Sequence, residues 1–218
     1  YIRVHEDGVL VVLPTGINYE QAAPLCDGAL TSMNFLRKIG QLREGQRVLI
    51  NGASGGLGTS AVQLAAHFGA EVTGVCSTAN VEFVRSLGAD HVIDYMKEDF
   101  TATGKTYDLI FDTIGASSFA LSKNALTPAG VYLTPVLKLP MLLTMLRTSV
   151  GSGKKAKFSA TGLLKPEELR PMLAELTSMM EHGTLTTVVD RSLPLAQVPE
   201  AHRYVDTGHK KGNVVITV

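Results

Sequence analysis

Three glycines stand where they could hold a phosphate group against the backbone. They are Gly55, Gly56 and Gly58, in the run Val48-Leu49-Ile50-Asn51-Gly52-Ala53-Ser54-Gly55-Gly56-Leu57-Gly58. Without a Cβ, the backbone can approach a pyrophosphate at the middle position, and a helix can pack closely on a strand at the last. The free N–H groups of the helix start attract the same anion, and the Ser54 hydroxyl can add a donor. The spacing matches G-x-G-x-x-G with alanine first, and it predicts a dinucleotide site.

The surroundings of these glycines decide between this interpretation and two others. A nucleotide P-loop needs a lysine directly after its last glycine, and Thr59 stands there instead. A glycine-rich turn can also simply be tight. Here the turn follows an apolar strand pattern and opens a helix pattern, which is the context that the fingerprint requires.

Apolar runs alternate with helical periodicity along most of the chain and predict a layered α/β protein. The continuous apolar runs are typical of strands buried on both faces, so we expect a Rossmann fold, a doubly wound parallel sheet. Predicted strands cover 48–51, 71–76, 91–94, 109–112, 130–134, 157–161, 186–189 and 213–218, with two short ones at 1–4 and 9–13. Predicted helices cover 19–38 with a break near Pro24, then 58–68, 80–87, 117–126, 139–150, 166–182 and 197–207.

The amino-acid composition limits the kinds of binding partner that we expect. Lysine plus arginine number 20 and aspartate plus glutamate number 20, so nothing favours a nucleic acid. The short basic cluster of Lys154, Lys155 and Lys157 is interpreted as a solvated loop, with an anion contact as the alternative. We expect no membrane partner and a cytoplasmic location. Cys26 and Cys76 form no CxxC pair, which fits a reducing compartment. The chain starts at Tyr1 on an extended pattern, so we expect that the natural protein begins earlier.

The strand at 71–76 bears on which dinucleotide binds. An NAD site usually has an acidic side chain at the end of this strand, which accepts a hydrogen bond from the ribose 2′-hydroxyl. Here the strand is followed by Ser77 and Thr78, whose hydroxyls could bind a 2′-phosphate. This favours NADP(H), with NAD(H) possible, because the two residues could instead merely cap the next helix. Arg85 is the nearest cation.

Several segments, in order, resemble the medium-chain dehydrogenase/reductase superfamily, most closely its zinc-free quinone oxidoreductase-like branch. The segments are 52–58, 76–78, 87–95, 107–115 and 212–218. The resemblance implies a GroES-like catalytic domain around a Rossmann domain, with the first hundred or so residues of the family absent. It assigns 1–14 to a remnant of the catalytic domain, 15–183 to the Rossmann domain and 184–218 to the return into the catalytic domain.

The resemblance also implies roles for individual residues. The pyrophosphate would be held by Ser54, Gly55, Gly56 and Leu57, and the 2′-phosphate would face Ser77 and Thr78. Tyr95 would flank the adenine. The nicotinamide would lie beside Thr113, Ile114 and Gly115, with Thr31 on the same side of the cleft. Relatives often carry cations where Ala79 and Asn213 stand, which weakens the choice of NADP(H).

The implied reaction is hydride transfer from the nicotinamide to a quinone, an enone or another activated carbonyl compound. No proton donor is evident, and Asp112 is interpreted as supporting a strand end. Two alternatives stay open. One is a zinc alcohol dehydrogenase, since Cys26 stands near that branch's last zinc ligand, although it could be a small buried packing residue. The other is a non-catalytic dinucleotide-binding protein. We expect the 218 residues alone to be inactive, and a homodimer to form through the edge strand at 157–161.

Overall fold

A six-stranded parallel sheet forms the centre of the computed structural model, which describes residues 3–218. The strands lie in the order β3-β2-β1-β4-β5-β6. Their bounds are β1 Arg47–Asn51, β2 Glu71–Cys76, β3 His91–Asp94, β4 Tyr107–Asp112, β5 Leu126–Thr134 and β6 Lys155–Phe158. The chain reverses its direction across the sheet between β1 and β4, and a crevice opens at such a switch point. The predicted doubly wound α/β fold is confirmed.

Helices cover both faces of this sheet. The α-helices are α1 Tyr19–Ala22, α2 Gly28–Met33, α3 Gly56–His67, α4 Val81–Ser86, α5 Phe119–Ser122, α6 Leu139–Ser149, α7 Pro166–Glu181 and α8 Val198–Asp206. Side chains alternate along a strand, so Val48 and Ile50 enter one apolar cluster while Leu49 enters the other. Two-sided burial explains why the strand patterns are continuously apolar.

Three predicted strands differ in the structure. The strand at 9–13 and the described part of the strand at 1–4 are irregular, while Tyr1 and Ile2 lie outside the described residues. A strand needs a partner for its backbone groups, and no segment within 3–218 pairs with this one; Arg170 instead binds the Gly8 carbonyl oxygen at 2.7 Å. The strand predicted at 186–189 begins at its last residue, as β7 Val189–Pro194, and pairs in parallel with β8 Asn213–Thr217.

The long helix predicted at 19–38 is divided into four pieces. After α1 comes a 3₁₀ turn at Ala23–Cys26, then α2, then a π-helix at Asn34–Ile39. Pro24 has no N–H to donate, which accounts for the first break. The break sets α2 against α3, where the Ser32 hydroxyl donates to the Leu57 carbonyl at 3.0 Å.

The sixth strand of the sheet stands at its edge, as the sequence predicts, although it begins two residues earlier than expected. β6 pairs with β5 on one side. Its contact with a second subunit stays a prediction, as do the three domain boundaries. None of the helices within residues 3–218 combines the length and the apolar character needed to cross a bilayer.

Candidate functional site

The glycine-rich turn joins β1 to α3 at very close range. A Cβ on Gly58 would lie 2.0 Å from the Gly52 carbonyl oxygen and 2.7 Å from the Ala53 Cα. Gly55 is different, since its added Cβ would meet nothing of the protein closer than 3.5 Å. Gly58 is therefore required by packing, whereas the space beside Gly55 is left for a ligand.

A cavity of about 930 Å³ opens over this turn, at the carboxyl ends of β1 to β4. Nine of the predicted site residues line it, and these are Ser54, Gly55, Gly56, Leu57, Ser77, Thr78, Tyr95, Thr113 and Ile114. They run from the end of β2 and β3, across the turn, to the end of β4. The structure therefore brings these nine residues together along one groove, and their role in binding a dinucleotide stays a prediction.

Three predicted site residues do not line this cavity. Gly58 lies beneath the turn, in the packing contact between helix and strand. Gly115 lines a neighbouring cavity. Thr31 lies on α2, where Gly28 and Ser32 contact the glycine-rich turn. With 3.6 residues per turn, Thr31 is about 100° around the helix from Ser32 and does not reach the groove.

The Asp94 carboxylate lies beside the end of the groove where the 2′-phosphate is predicted. The sequence analysis did not identify this residue. β2 itself ends without an acid, but its parallel neighbour β3 pairs Asp94 with Cys76. The Thr78 hydroxyl donates to Asp94 Oδ2 at 2.6 Å. This bond, helped by the Met96 N–H and Lys97, lowers the pKa of Asp94. The Thr78 hydroxyl proton is therefore used in the bond to Asp94 and is not free to bind a 2′-phosphate. Ser77 differs, because its Oγ accepts a bond from Asn80 and keeps its own proton for a ligand.

Asn80 joins the glycine-rich turn to the β2 end of the groove. Its side-chain amide donates to Ser54 Oγ and to Ser77 Oγ, both at 3.2 Å, although the residue is only 8% exposed. Its Oδ1 is buried and has no hydrogen-bond partner within the described residues. A buried acceptor without a partner is costly, so a donor on a bound ligand, such as a ribose hydroxyl, fits this position.

Replacement of Asn80 by aspartate is expected to weaken NADH and NADPH binding alike, by at least about tenfold. Aspartate removes the donor to both serines and adds a negative charge beside the predicted phosphates. Titration of each cofactor by its fluorescence measures the effect, with Asn124→Asp on an exposed turn as the matched control. Unchanged affinity in Asn80→Asp would contradict this role.

A segment near the carboxyl end of the chain contacts the glycine-rich turn, although the two are far apart in sequence. The Gly212 N–H donates to the Ser54 carbonyl at 2.8 Å, and Gly55 and Gly212 form a parallel bridge. This brings His209, Lys210 and Lys211 to the wall of the cavity. Burial lowers the pKa of Lys210, whose Nζ donates to the Gly212 carbonyl at 2.6 Å. Lys210 and Lys211 thus supply positive charge to the cavity, although the cations that relatives often carry at positions 79 and 213 are absent. The dibasic pair before Gly212 was the sequence signal that could have indicated this.

The opposite end of the groove is held by a buried carboxylate at the end of β4. Asp112 is fully buried and accepts bonds from the Asn51 side-chain amide, the Ser117 N–H and the Tyr132 hydroxyl. Burial and the adjacent Asp112 raise the pKa of Tyr132, which therefore stays a hydrogen-bond donor. The Thr113 hydroxyl donates to the Asn51 carbonyl at 2.7 Å. The interpretation of Asp112 as a support of the strand end is confirmed.

A second, smaller cavity of about 210 Å³ adjoins this end. Gly115 lines it with a backbone φ of 67°, a conformation that favours glycine. Its other walls include Phe119, Tyr132 and Met141. The Lys138 Nζ donates to the Gly115 carbonyl at 2.7 Å beside it. An apolar space next to the predicted nicotinamide end suits the ring of a small carbonyl substrate.

The described residues do not assemble a zinc site. Within residues 3–218 no three His, Cys, Asp or Glu side chains come together in a way that could hold a metal ion. Cys26 is exposed at the end of the 3₁₀ turn, so its interpretation as a small buried packing residue is wrong. The proline-induced turn, instead of the expected helix, leaves this side chain at the surface.

Comparisons with known proteins agree with this geometry. Residues 87–216 match the family described as zinc-binding dehydrogenase. The chain is 35% identical to the mouse (Mus musculus) protein named NAD(P)H oxidoreductase RTN4IP1, mitochondrial, covering 94% of this chain and 57% of that protein. The chain belongs to the medium-chain dehydrogenase/reductase superfamily. The predicted resemblance is therefore confirmed, and the chain spans little more than half the length of this relative.

Two further relatives place the chain within the superfamily. It is 30% identical to the tomato (Solanum lycopersicum) 2-methylene-furan-3-one reductase, over 97% of this chain and 50% of that protein. The solved structure of the quinone oxidoreductase from Coxiella burnetii superposes with a TM-score of 0.84 at 25% identity, over 95% of this chain and 63% of that one. The chain is thus quinone oxidoreductase-like within the superfamily, and it corresponds to the part of such proteins that holds the Rossmann fold.

Proposed function

We propose that this chain is the cofactor-binding part of an NAD(P)H-dependent reductase that delivers hydride to a quinone, an enone or another activated carbonyl compound. The observation that carries the proposal is the continuous groove over Gly55, bounded by Ser77 at one end and Thr113 at the other. Two of the relatives named above are, by name, a reductase of a furanone and a quinone oxidoreductase, and the mouse relative is by name an NAD(P)H oxidoreductase. A bound nicotinamide would supply the hydride.

The chain's own residues would bind and orient the cofactor. The turn at Gly55 and the start of α3 would hold the pyrophosphate, helped by Lys210 and Lys211. Asn80 would position the Ser54 and Ser77 hydroxyls. Asp112, which bonds Asn51, would hold the nicotinamide end of the groove in place without contacting the reacting atoms.

For the cofactor we propose NADP(H) in preference to NAD(H). The support is the free hydroxyl proton of Ser77 and the absence of an acidic residue at that end of β2. The charge of Asp94 opposes this preference, since a carboxylate beside a 2′-phosphate is repulsive. The preference we expect is consequently moderate.

Replacement of Ser77 by aspartate is expected to weaken NADPH binding by at least about tenfold relative to NADH, because a carboxylate would repel the 2′-phosphate and accept from the 2′-hydroxyl. Paired fluorescence titrations of the two cofactors measure this, with Ser152→Asp on an exposed loop as the control for added charge. If the unaltered chain binds NADH as tightly as NADPH, the role given to Ser77 is refuted.

The activity itself is tested on a protein that extends this chain to the length of its relatives. We expect oxidation of NADPH by a quinone or an enone, and its loss in Gly55→Ala. The 218 residues alone are expected to bind cofactor without turnover, because they cover only 57% of the mouse relative. No oxidation with any quinone or enone would favour a non-catalytic binding protein. Stoichiometric zinc in the extended protein would favour the zinc alcohol dehydrogenase alternative.

Two further properties belong to the same proposal. A homodimer would form through the edge strand β6, whose outer backbone groups can pair with a second copy. Light scattering at high concentration tests it, and a monomer would count against it. We keep the cytoplasm as the proposed location, although the mouse relative is mitochondrial by name.

A further inference from the structure

The helix α6 presents a row of leucines to solvent. Leu139 is 73% exposed, Leu142 42%, Leu143 52% and Leu146 70%. Their spacing of three, four and seven residues places them on one side of the helix. We call these four residues the leucine face. Isolated exposed leucines are ordinary, but a continuous apolar stripe of this kind marks a surface that contacts something apolar.

The opposite side of α6 attaches the helix firmly to the sheet. Met141 is buried at 7% exposure, and Met145 packs against the same apolar cluster. Near the carboxyl end, the Thr148 hydroxyl oxygen accepts the Ala156 N–H of β6 at 3.2 Å. The helix thus already has an inward apolar side, and the leucine face is a second one, additional to what the core uses.

The chain around this helix has an unusual charge. No acidic residue occurs between Asp112 and Glu167. The same stretch carries seven cations, which are Lys123, Lys138, Arg147, Lys154, Lys155, Lys157 and Lys165. The whole chain has 20 basic and 20 acidic residues, so this separation of charge is specific to the segment.

The structure sets several of these cations near the two ends of the leucine face. Lys138 directly precedes α6, and Arg147 lies in its last turn. Lys154 Nζ donates to the Lys123 carbonyl at 2.6 Å, which gathers further positive charge where the helix ends. Lys157 is half-buried and its Nζ donates to the Ile39 carbonyl at 2.8 Å, so we do not count it among the cations that flank the leucine face.

We propose that the leucine face docks on the surface of an anionic membrane. An exposed apolar stripe flanked by lysine and arginine, on a helix too short to span a bilayer, is the pattern of a helix that lies in the lipid interface. An anionic surface complements Lys138 and Arg147 at the two ends of this face, and the homodimer proposed above would use the edge strand β6 instead of the leucine face. This proposal goes beyond the proposed function. It also revises two expectations from the sequence, that the chain has no membrane partner and that the basic cluster at 154–157 is only a solvated loop.

Docking in this way would place the smaller cavity beside the lipid phase. Pro140, Met141 and Thr144 of the same helix line that cavity, while the leucine face does not. No residue of α6 lines the cofactor groove, so changes in the leucine face can be tested without altering cofactor binding.

Sedimentation with lipid vesicles tests the proposal on the unaltered chain. We expect binding to vesicles of phosphatidylcholine with phosphatidylglycerol, little binding to phosphatidylcholine alone, and release by salt. The double variants Leu142→Ser with Leu146→Ser and Lys154→Glu with Lys155→Glu are each expected to reduce binding at least about tenfold. The matched control is Val12→Ser with Leu195→Ser, two exposed apolar residues elsewhere.

Three outcomes would overturn the proposal. These are no binding to anionic vesicles, binding that survives both double variants, and a leucine variant that changes the oligomeric state by light scattering. The last would make a second copy the occupant. NADPH binding serves as the measure of correct folding in each variant, and because it does not depend on α6, a failure here would leave the proposed reductase function untouched.

Discussion

Replacement of Gly58 by alanine is expected to destabilise the chain by about 3 kcal/mol or more, whereas Gly55→Ala is expected to leave its stability nearly unchanged and to abolish tight cofactor binding. The two glycines are three residues apart in the same turn. The Cβ on Gly58 would lie 2.0 Å from a backbone carbonyl oxygen of Gly52, which cannot move without separating α3 from β1. The Cβ on Gly55 would make an ordinary contact with the Gly52 carbonyl oxygen at 3.5 Å, and we propose that the pyrophosphate occupies the space beside it.

Thermal unfolding and NADPH titration separate the two effects. For a chain of this length, 3 kcal/mol corresponds to a fall in Tm of roughly 6–12 °C. Gly55→Ala should unfold within a few degrees of the unaltered chain and bind NADPH at least about tenfold more weakly. Gly153→Ala is the control, since its Cβ would meet nothing within 4 Å. Normal NADPH affinity in Gly55→Ala would remove the main support for the cofactor site.

The second large effect is expected from Asp112→Ala, which should cost about 4 kcal/mol of unfolding free energy. The carboxylate accepts from Asn51 at 3.0 Å, from the Ser117 N–H at 2.9 Å and from the Tyr132 hydroxyl at 2.7 Å. Its removal leaves the buried Asn51 and Tyr132 donors and the half-buried Ser117 N–H unsatisfied at once, and each buried donor left without a partner costs about 1–3 kcal/mol. Cofactor binding should fall as well, because Asn51 lines the groove.

Chemical denaturation measures this loss, and related variants show its origin. Asp112→Asn keeps an oxygen that can accept from Ser117 and Tyr132, so it should lose less than half as much stability. Tyr132→Phe removes one donor and leaves the carboxylate two others, at a cost of about 1 kcal/mol. Asp206→Ala, on the exposed end of α8, is the control. A loss below about 1 kcal/mol in Asp112→Ala would refute the supporting role.

These two residues show how the parallel sheet builds the groove. Successive strands all end at the same edge, so short segments far apart in the chain meet there. The end of β4 bonds the end of β1 through Asp112 and Asn51, and β3 brings Asp94 to the end of β2. Hydrogen bonds between these strand ends fix the walls of the groove, which favours binding of a dinucleotide with little reorganisation.

The sequence by itself determined the sheet, the turn and most of the groove. Strands such as Glu71–Cys76 and His91–Asp94 have the bounds expected from their apolar runs, because burial on both faces leaves a local mark in the chain. The role of Gly58 followed from its place between a strand and a helix, since the fingerprint is a local constraint on backbone approach.

Only the tertiary structure decided which distant groups enter the groove. Register across two parallel strands, not proximity in sequence, sets Asp94 under Thr78. Backbone pairing of Gly212 with the glycine-rich turn brings Lys210 and Lys211 to the site from the far end of the chain. The strand expected at 9–13 failed for the same reason, because a strand depends on a partner that no local pattern can supply.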